Sequence, residues 1–189
     1  MLHSEKIIKT VARIIQNNKQ RIPLVLDPVM VAKGGAILLN PLTINQLKNY
    51  IFPESTIITP NIPEAEILSG QLINNIDEMK SAAEKIMSIG VQSLLLKGGH
   101  LKSELDQSTV TDLFVTPDGI ESMSTPRIDT KNTHGTGCTL SSAIACGIAQ
   151  GMSLRDSVGR ARDYVWEAIR TAPNLGKGHG PLNHSHTCL

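Results

Sequence analysis

Asn132 to Ser142 reads NTHGTGCTLSS: two glycines, a histidine and a cysteine packed ahead of a run of small residues. Gly135 and Gly137 permit backbone conformations closed to other residues. Behind them Leu140, Ala143, Ile144, Gly147 and Ile148 recur at helical spacing, so the stretch opens a helix. A helix start leaves unpaired N–H groups and the positive end of its dipole facing outward. A glycine turn before such a start is one way to build an anion site, and equally a way to turn the chain into a buried helix. Ser141, Ser142, Ala143, Ala145, Gly147 and Ala149 make this helix narrow enough to approach a sheet closely. No Gly-Lys-Ser/Thr follows, so the stretch is not a Walker A loop.

Cys138 falls in the first turn, where a helix N-terminus favours a reactive thiolate. The alternative is a small buried hydrophobe, the usual state of a free cysteine and the expectation for Cys146. His134 precedes the glycine turn, so helical spacing does not pair it with Cys138 as in a Cys–His hydrolase. His179, His184, His186 and Cys188 crowd the C-terminal tail without a zinc-type spacing, and a solvated tail is expected there.

Upstream, short apolar runs alternate with helical patterns. Ser4 to Gln20 is helical, with Ser4 as N-cap and Ile7, Ile8, Val11, Ala12, Ile14 and Ile15 on one face. LVLD (24–27), TIIT (56–59) and SLLLK (93–97) read as buried strands. DPVMVAKGG, with Pro28, Gly34 and Gly35, is a loop. Helices are expected over 40–50, from Pro63 to a C-cap at Gly70, and over 77–89 before Gly90. TPDG between Thr109–Val115 and Ile120–Ser124 marks a β-hairpin. Ser153 and Asp156 open a last helix that runs to about Ile169. This alternation indicates an α/β domain with a mainly parallel sheet.

The composition excludes several classes. The 189 residues carry a formal charge of +1 and 3% aromatics, which speaks against nucleic acid, anionic membrane and single-strand stacking. Three cysteines at no framework spacing fit a reducing cytosol better than a secreted scaffold. No apolar run is long enough to span a membrane, and the N-terminus lacks the basic region of a signal peptide.

Asp27 and Lys97 sit where strands end, and Asn61 and Glu64 follow TIIT. In open parallel sheets ligands bind beyond the carboxyl ends of the strands. Two carboxylates with a lysine suit magnesium and phosphate, whereas each residue alone reads as a cap or a surface ion pair. Arg162 lies on or beside the apolar face set by Val158, Ala161, Val165, Ala168 and Ile169. It either snorkels to solvent or reaches an anion at the neighbouring helix start.

DPVMVAKGG, TPNIPEAE, LLLKGGHL and NTHGTGCTLSSAIA, in this order, closely resemble the hydroxymethylpyrimidine/phosphomethylpyrimidine kinases of thiamine biosynthesis, members of the ribokinase-like superfamily. The likeness extends to the GKGHGP tail. It implies a ribokinase-like three-layer α/β fold. It also implies ATP- and Mg2+-dependent phosphorylation of 4-amino-5-hydroxymethyl-2-methylpyrimidine, and of its monophosphate to the diphosphate. By the same resemblance Gly135, Thr136 and Gly137 form the anion hole and Cys138 stands where most of the superfamily has an aspartate base. Asn61 and Glu64 match the magnesium motif, acting through water. Asp27 and Lys97 match nucleotide- and phosphate-side residues, and Arg162 replaces the family's second lysine with a planar fork. The resemblance implies a cytoplasmic enzyme with small-molecule partners, assembling as a homo-oligomer, often a dimer.

Against the family pattern the chain is N-terminally truncated: residues 1–189 correspond to the C-terminal portion of a single ribokinase-like domain. Roughly two βαβ units of ~30 residues each are missing, and with them much of the pyrimidine pocket. An inactive or nucleotide-binding-only remnant is therefore the alternative to the kinase. A pyridoxal-type kinase is disfavoured by Cys138, because such kinases commonly carry aspartate there.

Overall fold

A computed structural model describes residues 2–18, 22–32, 35–101 and 108–187. Gly34, Cys188 and the proposed end of the first helix at Gln20 lie outside the described residues. The chain divides into two compact units, Met1–Ser124 and Thr125–Leu189.

The first unit is built on a five-stranded mixed sheet in the order β1 (Val25–Leu26), β2 (Ile57–Ile58), β3 (Leu94–Leu96), β4 (Thr109–Thr116), β5 (Gly119–Pro126). β1, β2 and β3 are parallel, in register through Val25–Ile57, Leu26–Ile58 and Ile58–Leu94. β4 reverses against β3, pairing Leu94 with Val115. The expected TPDG hairpin forms, and β5 carries the chain across the boundary between the units. All three parallel strands are shorter than the apolar runs that encode them. The parallel part occupies the centre of each run, and Ile57, Ile58, Leu94, Leu95 and Leu96 are fully buried. Burial on both faces explains why the runs of β2 and β3 do not alternate, whereas Val25 and Leu26 of β1, expected to be buried, are only half-buried.

Crossovers supply the helices. α1 (Glu5–Asn17) is capped by Ser4, whose side chain accepts from the Ile7 N–H. Ile8 and Ala12 are buried, but Ile14 is 63% exposed, because it falls off the stripe they define. α2 (Pro41–Tyr50) starts at the Asn40 cap with proline in its first turn. α3 (Ile62–Ser69) ends at Gly70 in the left-handed conformation. α4 (Ile76–Met87) follows the Asn75 cap. One apolar cluster joins these elements, from Ile8 and Leu47 through Met79 and Ile86 to Leu113 and Val115. Large apolar side chains left exposed in the first unit include Ile22, Ile37 and Leu42.

The second unit is a helical hairpin, α5 (Thr136–Ala149) and α6 (Leu154–Arg170), followed by the tail. The small residues of α5 serve a close helix–helix contact, with Gly147 against the fully buried Ser157 of α6. Cys146 is exposed, contrary to expectation. Two residues on from buried Ile144 is about 200° around the helix, which places Cys146 on the opposite face. The tail is not simply solvated. Leu182 is buried, the Asn183 N–H donates to Ala168 O at 3.0 Å, and the Tyr164 ring meets those of His184 and His186.

Among the described residues no helix is long and apolar enough to cross a membrane.

Candidate functional site

In the first unit, three consecutive parallel strands end side by side, and each delivers a polar residue to the same edge. Asp27 follows β1, Thr59 follows β2 and Lys97 follows β3. Lys97 Nζ lies 3.1 Å from Asp27 Oδ1, and Thr59 Oγ1 donates to that oxygen at 3.2 Å. Both charged side chains keep only 15% exposure, so solvent screens the pair weakly. The backbone continues the pattern: Asn61 bridges in parallel to Lys97, and the Lys97 N–H donates to Pro60 O at 2.9 Å.

Asn61 and Glu64 form a reciprocal capping box at the start of α3. The Glu64 N–H donates to Asn61 Oδ1 at 3.0 Å, and the Asn61 N–H donates to Glu64 Oε2 at 2.8 Å. The other carboxylate oxygen, Oε1, accepts from the Met30 N–H at 3.4 Å. Glu64 is 2% exposed, and burial pushes its carboxyl above the ordinary range. The Asn61 N–H and the Lys97 charge pull the other way, while the Asp27 charge adds to the rise. The motif read from sequence as a magnesium signature thus has a local structural job as well.

Whether these residues suit magnesium follows from their remaining lone pairs. Among the described residues no cluster of three His, Cys, Asp or Glu side chains could cage a metal. Mg2+ does not need one, since it keeps several waters and takes one or two carboxylates plus substrate phosphates. Glu64 and Asn61 already accept backbone N–H groups, so water-mediated contact fits them better than direct ligation.

Two residues that sequence reading passed over hold this edge in place. Thr59, fully buried, orients Asp27. Asp112 on β4 accepts the Gly98 N–H at 2.8 Å and so fixes the turn after Lys97. Asp112 was findable as the acidic residue that interrupts the otherwise apolar DLFV of β4. Thr59 carried no such mark. Beside Asp27 a cleft of about 250 Å³ is lined by Leu2, Leu26, Pro28, Val29, Leu39 and Leu47.

In the second unit, Gly135 is the N-cap of α5 at φ 85°, a left-handed conformation that glycine adopts without strain. Gly137, by contrast, is helical and needs no such freedom. No side chain caps this helix. The N–H groups of Thr136, Gly137 and Cys138 therefore have no acceptor within the helix. Cys138 is exposed on this first turn, so it is not the buried hydrophobe that remained possible from sequence. Thr136 Oγ1 ties the turn back to Thr133 O at 2.8 Å. His134 is exposed, and its N–H donates to Gly180 O in the tail. Arg162 is half-buried on α6. It lies five residues beyond Ser157, which faces Gly147 near the end of α5. At ~1.5 Å per residue its backbone lies level with about the middle of α5.

The match to known proteins runs nearly the length of the chain. The family described as phosphomethylpyrimidine kinase matches over residues 1–183. The chain belongs to the phosphomethylpyrimidine kinase family. It is 46% identical to the thiamine biosynthesis bifunctional protein ThiED of Geobacter sulfurreducens, covering 97% of this chain and 36% of that protein. It is 40% identical to the hydroxymethylpyrimidine/phosphomethylpyrimidine kinase of Bacillus subtilis, covering 97% of this chain and 66% of that one. Among solved structures, an ADP complex of Bacillus subtilis pyridoxal kinase superposes with a TM-score of 0.89 at 34% identity, covering 100% of this chain and 70% of that one. Phosphomethylpyrimidine kinase from Clostridium difficile gives 0.75 at 36% identity, covering 89% and 66%. The chain thus spans about a third of the first relative's length and two thirds of the second's.

Proposed function

We propose that this chain carries the phosphoryl-transfer machinery of a kinase that uses ATP and Mg2+ to phosphorylate 4-amino-5-hydroxymethyl-2-methylpyrimidine and its monophosphate. The observation that carries this reading is the start of α5. A left-handed glycine leads into an uncapped first turn with an exposed cysteine, in a member of this family. The free N–H groups of Thr136 and Gly137, with Gly135 before them, receive the transferred phosphoryl oxygens. Cys138 accepts the proton of the attacking hydroxyl. Lys97, held by Asp27, and Arg162 bind nucleotide phosphate, a role in which charge and position matter more than covalent chemistry. Mg2+, when bound through waters on Asn61 and Glu64, neutralises the phosphate charge. The active protein is cytoplasmic and dimeric in this reading.

A second reading is pyridoxal phosphorylation, favoured by the superposition on pyridoxal kinase. A third is nucleotide binding without turnover, in keeping with the ADP complex on which the chain superposes.

The test offers ATP with three acceptors in parallel: the pyrimidine alcohol, its monophosphate and pyridoxal. Little turnover is expected from the 189-residue chain alone, with ATP binding retained. Fused to the part of the Bacillus subtilis relative that it does not span, it is expected to phosphorylate both pyrimidines. Preference of the fusion for pyridoxal would replace the first reading with the second. ATP binding with no transfer from the fusion would leave the third.

A further inference from the structure

The tail segment 174–181 lies back along the residues that lead into α5, and four contacts hold it there. Asn132 Nδ2 donates to Asn174 Oδ1. The His134 N–H donates to Gly180 O at 3.2 Å, and His134 bridges in parallel to Pro181. His179 Nδ1 approaches Lys131 O at 3.4 Å. All of these residues belong to the second unit.

Asn132 is the keystone. It is 1% exposed, and its Oδ1 has no hydrogen-bond partner among the described residues. Leaving a buried acceptor unsatisfied forfeits its hydration without replacement, so such groups call for an explanation. Gly180 presses against that oxygen: a Cβ on Gly180 would sit 2.1 Å from it. On the other side Asn174 holds the amide from a left-handed backbone, φ 52°, the sole non-glycine positive φ among the described residues. Asparagine tolerates that conformation better than most side chains. The Asn132 side chain is thus clamped between two tail residues. Its backbone leads through Thr133, which accepts from Thr136 Oγ1, into the Gly135 turn.

We infer that Asn132 is a positioning residue: the tail, gripping Asn132 and the His134 N–H, sets the turn from which the first-turn amides of α5 point. The link to phosphoryl transfer rests on the reading of that turn given above. The link between tail and turn stands on the contacts alone.

The experiment reads the turn without needing turnover. Cys138 sits on the first turn and Cys146 on the same helix two turns later, both exposed, so their alkylation by iodoacetamide can be compared in one chain by peptide mass spectrometry. Three variants of the full chain are compared with wild type. Gly180→Ala forces Asn132 aside. Asn174→Gly keeps the left-handed backbone but deletes the amide partner. Gly178→Ala is the control, since nothing lies within 4 Å of its added Cβ. Gly180→Ala and Asn174→Gly are expected to change the Cys138 rate by about threefold or more, with Cys146 unchanged. Gly178→Ala changes neither. Inorganic phosphate is expected to slow Cys138 in the wild type and less so in the two tail variants. If folded Gly180→Ala and Asn174→Gly both alkylate at the wild-type rate, the inference is overturned. If Gly180→Ala does not fold, Asn174→Gly decides alone. If phosphate protects nothing while both tail variants still shift Cys138, the positioning role stands and the phosphate cradle falls.

Discussion

Lys97 and Asp27 meet at 3.1 Å although seventy positions separate them, and Thr59 donates to the same Asp27 oxygen from the strand end between them. This edge exists only because β1, β2 and β3 are parallel and adjacent, so that all three chains leave the sheet on the same side. Asp27→Ala removes the acceptor of two donors and leaves the Lys97 charge largely buried. The expected cost is about 2–3 kcal/mol of unfolding free energy, read from urea denaturation. A midpoint equal to wild type would show that the pair is solvated and structurally idle.

The turn after Lys97 tolerates no side chain at Gly98. An added Cβ would lie 1.9 Å from the Thr111 carbonyl oxygen of β4, a backbone atom that cannot swing away. Gly98→Ala is therefore expected to destabilise the chain by about 2 kcal/mol or more, whereas Gly99→Ala, with no atom near its Cβ, should lose far less. Thermal unfolding of the two variants side by side makes the comparison. Equal melting points would contradict the close approach of β4.

Stability should carry a pH signature from Glu64. Burial raises its carboxyl above the ordinary range, so the folded chain holds this proton where the unfolded chain has released it. The associated stability is complete below the ordinary carboxylate range and is lost as pH rises through the raised value. Glu64→Gln deletes that titration, although it weakens the cap on the Asn61 N–H. Urea midpoints taken from about pH 4 to pH 7 should show the advantage of wild type over Glu64→Gln shrinking as pH rises. Parallel curves would place the titration elsewhere.

Cys138→Ala in a catalytically active form of the protein is expected to lower kcat by about a hundredfold or more, the usual scale for removal of a general base, with ATP affinity within about twofold. Cys146→Ala, on the same helix and also exposed, serves as the matched control. Full turnover in Cys138→Ala would remove the thiol from its proposed role.

Much of the first unit was legible because its signals are local. Asn61, Pro63, Glu64 and Gly70 announce both ends of α3, and the apolar runs before Asp27 and Lys97 announce strands whose ends must share an edge. The hairpin at Pro117–Asp118 was equally plain. Contacts between distant residues were not. Asp112 stood out as an acid in an apolar strand, but nothing in the order of residues names its partner, the Gly98 N–H 14 positions away, or links Thr59 to Asp27 across 32 positions. The tail misled for a related reason. Its glycines and histidines have the composition of a solvated loop, yet Gly180 is glycine because Asn132 lies against it. Cys146 was open to correct reading: helical geometry alone places it opposite Ile144.

The mixed sheet also sets an order of assembly. Each parallel pair among β1, β2 and β3 joins residues separated by a whole helical crossover, so it forms only after a long loop has closed. The β4–β5 hairpin and the α5–α6 hairpin need no such closure. Local hairpins therefore have the kinetic advantage, and the strand ends bearing Asp27, Thr59 and Lys97 come together late. The polar edge is then the last part of the first unit to acquire its shape, and the first to lose it when the chain begins to open.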